Sequence, residues 1–143
     1  MYYKNKIKTL SELFGTSDIQ LEGTFINIAG RIYPIVDDVI ILLKSHHIPR
    51  RTAEKIQCLT RDEEISPSIA KDIQYTFGEE WKIYNEILPQ HHDEFNLYFD
   101  LIDIPTLESK RICDLGCGIG RWSYFLRDIA KEIVLIDFSE SIF

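Results

Sequence analysis

The stretch that decides the fold reads RICDLGCGIGRWSYFLRDIA at residues 111–130 and EIVLID at residues 132–137. The apolar residues of 111–115 predict a short strand, and 132–137 predict a second one. Between them, the glycine-rich turn at 116–120 leads directly into a predicted helix at 121–130. Strand, glycine-rich turn, helix and strand in this order begin a parallel α/β sheet.

The glycines of the turn predict a place where a ligand approaches the backbone closely. Glycine has no side chain to block that approach, and the start of a helix offers N–H groups that the helix itself does not use. The pattern is G-x-G-x-G, at Gly116, Gly118 and Gly120, whereas dinucleotide-binding proteins use G-x-G-x-x-G/A. The third small residue of that pattern would stand where Arg121 is found. A bulky side chain at this helix–strand contact argues against a nicotinamide or flavin dinucleotide.

Two carboxylates stand before and after the turn and its helix. Asp114 lies two residues before the first glycine, where its charge would repel a pyrophosphate and attract an ammonium group. Asp137 is the last residue of the second predicted strand, and an acid about 20 residues beyond such a turn is placed to accept hydrogen bonds from ribose hydroxyls. A ligand with a cationic amino-acid end and an adenosine end fits both carboxylates, and S-adenosyl-L-methionine is such a ligand. Two residues later, Ser139 is predicted to cap a further helix.

Residues 113–120 resemble motif I of the class I S-adenosylmethionine-dependent methyltransferases, and residues 134–139 resemble their second-strand motif. The resemblance implies that the methionine part of the cofactor lies along Asp114 and the backbone of the turn. It also implies that Asp137 binds the ribose hydroxyls and that Phe138 flanks the adenine. The cofactor-binding residues that it implies are Asp114, Gly116, Cys117, Gly118, Gly120, Asp137 and Phe138.

The resemblance implies a Rossmann-like methyltransferase sheet but does not identify the methyl acceptor, for which a small molecule is the expectation. No catalytic residue is predicted, because acceptor-binding residues in this fold come from later strands and because the chemistry depends mostly on positioning and desolvation. We expect residues 110–143 to be the start of an interrupted methyltransferase domain, and the 143-residue chain by itself to be inactive.

Residues 1–45 predict a small antiparallel β module preceded by a helical turn at residues 9–14. Three apolar runs separated by turn-forming pairs predict a meander, and the runs are 24–28, 31–36 and 39–43. Residues 30–43 resemble the end of a Trm112-like zinc-ribbon module, in which a C-x-x-C pair would fall at Ile26 and Ala29. Neither position is cysteine, so the resemblance implies that apolar packing replaces the zinc, and no metal is predicted.

Residues 46–109 predict a helical linker region. Ser66-Pro67 has the character of a helix start, and Ile69, Ile73 and Phe77 then fall on one helical face. The adjacent histidine pairs 46–47 and 91–92 are expected to be solvated. Neighbouring side chains diverge by about 100° on a helix, so neither pair is suited to chelating a metal.

The composition limits the classes of partner. With 16 basic and 23 acidic residues the net charge is −7, which disfavours a general nucleic-acid-coating role. No apolar run reaches the roughly 18 residues of a membrane span, so no membrane partner is expected. Three cysteines without a C-x-x-C pair, and the lack of a signal-peptide pattern at the start, favour the reducing cytoplasm.

Two alternatives remain open from the residues alone. One is a non-catalytic interaction module, in which the β module and the acidic segment 51–100, with 5 basic and 11 acidic residues, dock a protein partner. The other is a nucleotide-binding α/β protein of different chemistry, which would prefer adenosine phosphates to S-adenosylmethionine.

Overall fold

The computed structural model describes residues 2–44, 47–57, 80 and 83–143. The chain divides into two compact units, Met1–Ala70 and Lys71–Phe143. The fold is mixed α/β, with a four-stranded antiparallel sheet in the first unit and a two-stranded parallel sheet in the second. The helix predicted to begin at Ser66-Pro67 lies outside the described residues.

The first unit is a helix followed by an antiparallel meander and a second helix. A 3-10 turn leads into the first helix, which Gly15 ends in the left-handed conformation at φ 65°. Each strand pairs with the next in chain order. The elements are the 3-10 turn Tyr2–Lys6, α1 Ile7–Phe14, β1 Ile19–Glu22, β2 Phe25–Ile28, β3 Arg31–Val36, β4 Val39–Ile40 and α2 Arg50–Gln57.

Tight turns with positive φ at both central residues connect β2 to β3 and β3 to β4. The angles are 50° and 79° at Ala29 and Gly30, and 46° and 61° at Asp37 and Asp38. Turns of this kind have a twist that matches the twist of the strands they join. The predicted meander is therefore confirmed, with one more strand, β1, than the sequence predicted.

The last strand is shorter than the predicted run of residues 39–43. Pairing of β3 with β4 ends at Ile35 and Ile40. The next amide, of Ile41, still donates to the carbonyl oxygen of Pro34 over 2.9 Å. Because proline has no N–H to give in return, the ladder stops there.

Apolar side chains cover both faces of the antiparallel sheet. Ile35 and Val36 are neighbours in β3 and therefore face opposite sides, and each belongs to a different core cluster. The first cluster contains Leu10, Ile19, Ile26, Ile28 and Ile35. The second contains Val36, Ile41, Ile48, Ala53 and Ile56.

The second unit contains the parallel strand pair that the sequence predicted. The strands run in register from Arg111 opposite Glu132 to Leu115 opposite Ile136. Its elements are α3 Gln90–Tyr98, the 3-10 turn Ile104–Leu107, β5 Arg111–Leu115, α4 Arg121–Leu126, β6 Glu132–Ile136 and the 3-10 turn Glu140–Ile142.

The helix α4 ends at Leu126, four residues before the predicted end. Ala130 instead forms an antiparallel bridge with Glu108, and the amide of Lys131 donates to the carbonyl oxygen of Lys110 over 2.9 Å. These contacts draw the chain out of the helix and into β6. A pairing with a distant residue has thus replaced the last helical turn.

Aromatic side chains join α3 to α4. The ring centroids of Phe95 and Phe125 are 5.1 Å apart, and those of Tyr98 and Trp122 are 5.3 Å apart. His91 is buried in the same contact, and its Nδ1 accepts a 2.9 Å hydrogen bond from the amide of Leu88. The expectation of a solvated His91 is therefore wrong, whereas His92 and His47 are exposed. His46 lies outside the described residues.

No helix in the described part of the chain is both long enough and apolar enough to cross a membrane.

Candidate functional site

The glycine-rich loop at residues 116–120 lies at the carboxyl ends of β5 and β6. Gly116, Gly118 and Gly120 have φ of 82°, 54° and 75°. Side chains are disfavoured in this left-handed region. At Gly116 a Cβ would meet no atom within 4 Å, so backbone conformation rather than crowding calls for glycine. The space beside its Cα is open to a ligand.

The loop is tied to the end of β6 by its own backbone. The carbonyl oxygen of Ile136 accepts hydrogen bonds from the amides of Gly116 at 2.7 Å and Cys117 at 3.1 Å. The amide of Gly120 donates to the carbonyl oxygen of Cys117 over 2.8 Å and closes the loop. Because parallel strands end at the same edge of a sheet, this arrangement brings the loop to the residue that follows β6.

That residue is Asp137, whose carboxylate contacts the loop directly. Its Oδ2 accepts a 2.7 Å hydrogen bond from the amide of Gly118. Its Oδ1 accepts two 2.6 Å hydrogen bonds, from the amide and from the hydroxyl of Ser139. Ser139 also caps the 3-10 turn Glu140–Ile142, because its Oγ accepts from the amide of Ser141. The predicted cap is thus present, on a 3-10 turn.

Asp114 lies on β5 and is directed toward α4. Its Oδ2 accepts a 2.6 Å hydrogen bond from the hydroxyl of Ser123, which is buried. Within the described residues no hydrogen bond reaches the other carboxylate oxygen, Oδ1. A half-buried carboxylate with one oxygen satisfied and one available can receive a donor from a ligand.

Cys117 lies inside the loop with its thiol half-buried. The pKa of this thiol is raised to about 12, first by burial and then by the negative charges of Asp137 and Asp114. A thiol with this pKa stays protonated at neutral pH and is a poor nucleophile. The two carboxylates therefore create a negative potential at the loop, which favours a cationic ligand over a phosphate.

The loop residues and the two carboxylates are thus brought together, and the remaining predicted site residues stand beside them. Phe138 follows Asp137 and exposes 47% of its surface. Gly120 directly precedes α4 and lies against β6, where a Cβ would be 3.7 Å from Leu135 Cδ1. Arg121, which follows the loop, donates a 2.7 Å hydrogen bond from its Nη2 to the carbonyl oxygen of Tyr84.

Ser123 and Ser139 hold the two carboxylates in place and were not among the predicted site residues. The cap position of Ser139 was a usable signal, because a capping hydroxyl two residues after an acid is within reach of it. Ser123 had no comparable signal, since its contact with Asp114 depends on how α4 packs on β5.

A cleft of about 350 Å³ lies next to the loop, and neither carboxylate is among its lining residues. It meets the loop only at Ile119 and Gly120. Its other lining residues come from the segment before α3, from α4 and the residue that follows it, and from β6; they are Asn85, Ile87, Ser123, Tyr124, Arg127, Ile133 and Leu135. In the part of the chain that the structure describes, no group of three or more histidine, cysteine, aspartate or glutamate residues is placed to hold a metal ion.

Comparisons of the chain with protein-family models, with curated proteins and with solved structures found no match. The resemblance to class I methyltransferases therefore rests on the sequence of residues 113–120 and 134–139.

Proposed function

We propose that the second unit binds S-adenosyl-L-methionine and belongs to a Rossmann-like methyltransferase domain. The observation that carries the proposal is the 2.7 Å hydrogen bond from the amide of Gly118 to Oδ2 of Asp137. These residues are 19 positions apart, and the bond unites the glycine loop and the acid after β6 in one site. The resemblance assigns the loop to the methionine part of the ligand and the acid to its ribose, so a single ligand that has both parts needs both features.

Each residue of the site has a part in holding that ligand. The available oxygen of Asp114 receives the ammonium group of the methionine part, and the open backbone at Gly116 lets that part approach. Asp137 accepts a ribose hydroxyl, and Phe138 stands next to the adenine. Bound S-adenosylmethionine supplies a methyl group activated on a sulfonium, for transfer to a small-molecule acceptor. The described residues bind and orient it, and none of them is assigned a catalytic role.

The charge of the site supports this ligand over an adenosine phosphate. Asp114 and Asp137 both act on the loop, as the raised pKa of Cys117 indicates. A phosphate placed on the same loop would have to approach two carboxylates. A sulfonium and an ammonium group would instead be attracted.

Calorimetric titration of the full-length protein with S-adenosylmethionine and with ATP tests the proposal. We expect S-adenosylmethionine to bind more tightly than ATP. The charge-reversing substitution Asp137→Lys should abolish binding, because it removes the ribose acceptor and detaches the loop amide. The matched control is Asp128→Lys in the same unit. The side chain of Asp128 is 84% exposed and pairs with its neighbour Arg127.

Three results would contradict the proposal. Unchanged affinity in the Asp137→Lys protein would mean that the site lies elsewhere. Tighter binding of ATP would favour the nucleotide-binding alternative. Binding of neither ligand would favour a non-catalytic interaction module.

For the first unit we propose a Trm112-like module in which apolar packing stands in for zinc. The first of the two positions that the zinc pattern would give to cysteine is Ile26, which has no exposed surface and lies in the core of the sheet. The second, Ala29, lies in the turn between β2 and β3. We expect metal analysis of the purified full-length protein to find substoichiometric zinc, and one zinc per chain would overturn this assignment.

A further inference from the structure

We infer that Ser139 is a specificity-determining residue that limits Asp137 to one hydroxyl of the bound ribose. The inference rests on the proposed function and concerns the same site. An acid placed alone at the end of β6 would accept both ribose hydroxyls, which is what the sequence predicts for Asp137. The structure shows that most of its hydrogen-bonding capacity is already used.

The two carboxylate oxygens of Asp137 differ in how many donors they hold. A carboxylate has about four acceptor positions, two on each oxygen. Oδ1 holds the amide and the hydroxyl of Ser139, both at 2.6 Å, and is therefore full. Oδ2 holds only the amide of Gly118, at 2.7 Å. One acceptor position remains, and it lies on the oxygen that faces the glycine loop.

The hydroxyl of Ser139 is held in this arrangement from its other side as well. Its Oγ lies 2.5 Å from Oγ of Ser141 and accepts from the amide of Ser141 at 3.3 Å. Ser141 is buried, so water has little access to its hydroxyl. Moving Ser139 aside to free Oδ1 would therefore break contacts on both sides of its hydroxyl.

Since one acceptor position is left for two ribose hydroxyls, only one of them is recognised by the carboxylate. The 2′ and 3′ hydroxyls should then contribute unequally to binding. Substitution of Ser139 by alanine leaves the backbone amide bond to Oδ1 but removes the hydroxyl, and it opens a second acceptor position on that oxygen.

The test compares three probes by calorimetry with the full-length protein: S-adenosylhomocysteine and its 2′-deoxy and 3′-deoxy forms. In the unsubstituted protein we expect one deoxy form to bind at least about tenfold more weakly than the parent, because it loses a hydrogen bond to a charged group. The other deoxy form keeps that bond and should bind within about threefold of the parent. In the Ser139→Ala protein both deoxy forms should lose about tenfold relative to the parent. The conservative Ser139→Thr protein keeps the hydroxyl and should keep the unequal pattern.

The outcomes separate this inference from the proposed function. Equal losses of affinity for the two deoxy forms in the unsubstituted protein would overturn the inference and leave the cofactor proposal standing. The same holds if both deoxy forms bind as tightly as the parent. An unequal pattern that persists unchanged in the Ser139→Ala protein would show that Ser139 does not set it. Failure of S-adenosylhomocysteine to bind the unsubstituted protein would overturn both proposals. The comparison in the unsubstituted protein needs no substitution, so it stands even if a variant fails to fold.

Discussion

The hydroxyl of Ser123 donates a 2.6 Å hydrogen bond to the carboxylate of Asp114 and so joins β5 to α4, the two elements that flank the glycine loop in the chain. Ser123 is buried and Asp114 is half-buried. The bond orients one carboxylate oxygen inward and leaves the other for the proposed ligand. It is therefore both a structural contact and a means of presenting charge at the loop.

A double-mutant cycle on Ser123→Ala and Asp114→Asn measures this contact. Each single substitution should lower the free energy of unfolding by about 1–2 kcal/mol, the range for a hydrogen bond to a partly exposed charge. The double variant should lose less than the sum, because the two residues act through one bond. Urea denaturation followed by circular dichroism provides the values. Strict additivity would show that the two side chains do not depend on each other.

Gly116→Ala should weaken binding of S-adenosylmethionine and also cost about 1–2 kcal/mol of stability. Its φ of 82° is costly for any residue with a Cβ, and the new methyl group would enter the open space beside the loop. Gly15→Ala is the matched control, since Gly15 also has positive φ and no atom within 4 Å of an added Cβ. Calorimetry and thermal unfolding of both variants separate the effects. Equal binding by the two variants would place the ligand away from Gly116.

Cys117 should resist alkylation under conditions in which Cys113 reacts. The pKa of Cys117 is raised from 9.0 to about 12, so the thiolate is scarce at pH 8, whereas Cys113 is exposed. Peptide mass spectrometry after treatment with iodoacetamide at about pH 8 distinguishes the two sites. Asp137→Asn removes a charge that raises the pKa and should speed the reaction of Cys117. Equal labelling of both cysteines in the unsubstituted protein would contradict the predicted environment.

Tyr3 should make the first unit lose stability at alkaline pH. Burial, followed by Tyr2 and Asp38, raises the pKa of Tyr3 from 10.0 to about 12. The folded state therefore holds the phenolic proton more tightly than the unfolded state does. The contribution of protonated Tyr3 to the free energy of unfolding is complete below pH 10.0 and is lost as the pH rises toward about 12.

The substitution that tests this is Tyr3→Phe, which removes the 2.7 Å hydrogen bond from the phenol to the carbonyl oxygen of Asp38. We expect a loss of about 1 kcal/mol at neutral pH and a smaller further loss between pH 10.0 and about 12 than in the unsubstituted protein. Urea denaturation across that range measures both. The neighbouring exposed Tyr2 provides the control Tyr2→Phe, which should leave the stability at neutral pH nearly unchanged. An identical pH dependence with and without Tyr3 would refute the assignment.

Features that depend on neighbouring residues in the chain could be predicted. The turns at 29–30 and 37–38 follow from residue types that tolerate positive φ, and the parallel pair follows from two apolar runs on either side of a glycine turn and a helix. By contrast, β1 has only four residues, and it is a strand because Ile19 and Leu21 pair with Ile28 and Ile26 of β2. The burial of His91 likewise depends on the packing of α3 on α4.

The sequence by itself determined the succession of strand, glycine loop, helix and strand in the second unit and the two acids that stand near the loop. These are local properties, because glycine spacing, apolar periodicity and the position of a carboxylate each depend on residues that are close together in the sequence. Only the tertiary structure decided which atoms of the carboxylates are available. The Oδ2 of Asp114 is taken by Ser123, and Asp137 holds three donors from the loop and from Ser139. Such assignments depend on distances between strands, loop and helix, and these distances exist only when the elements have packed.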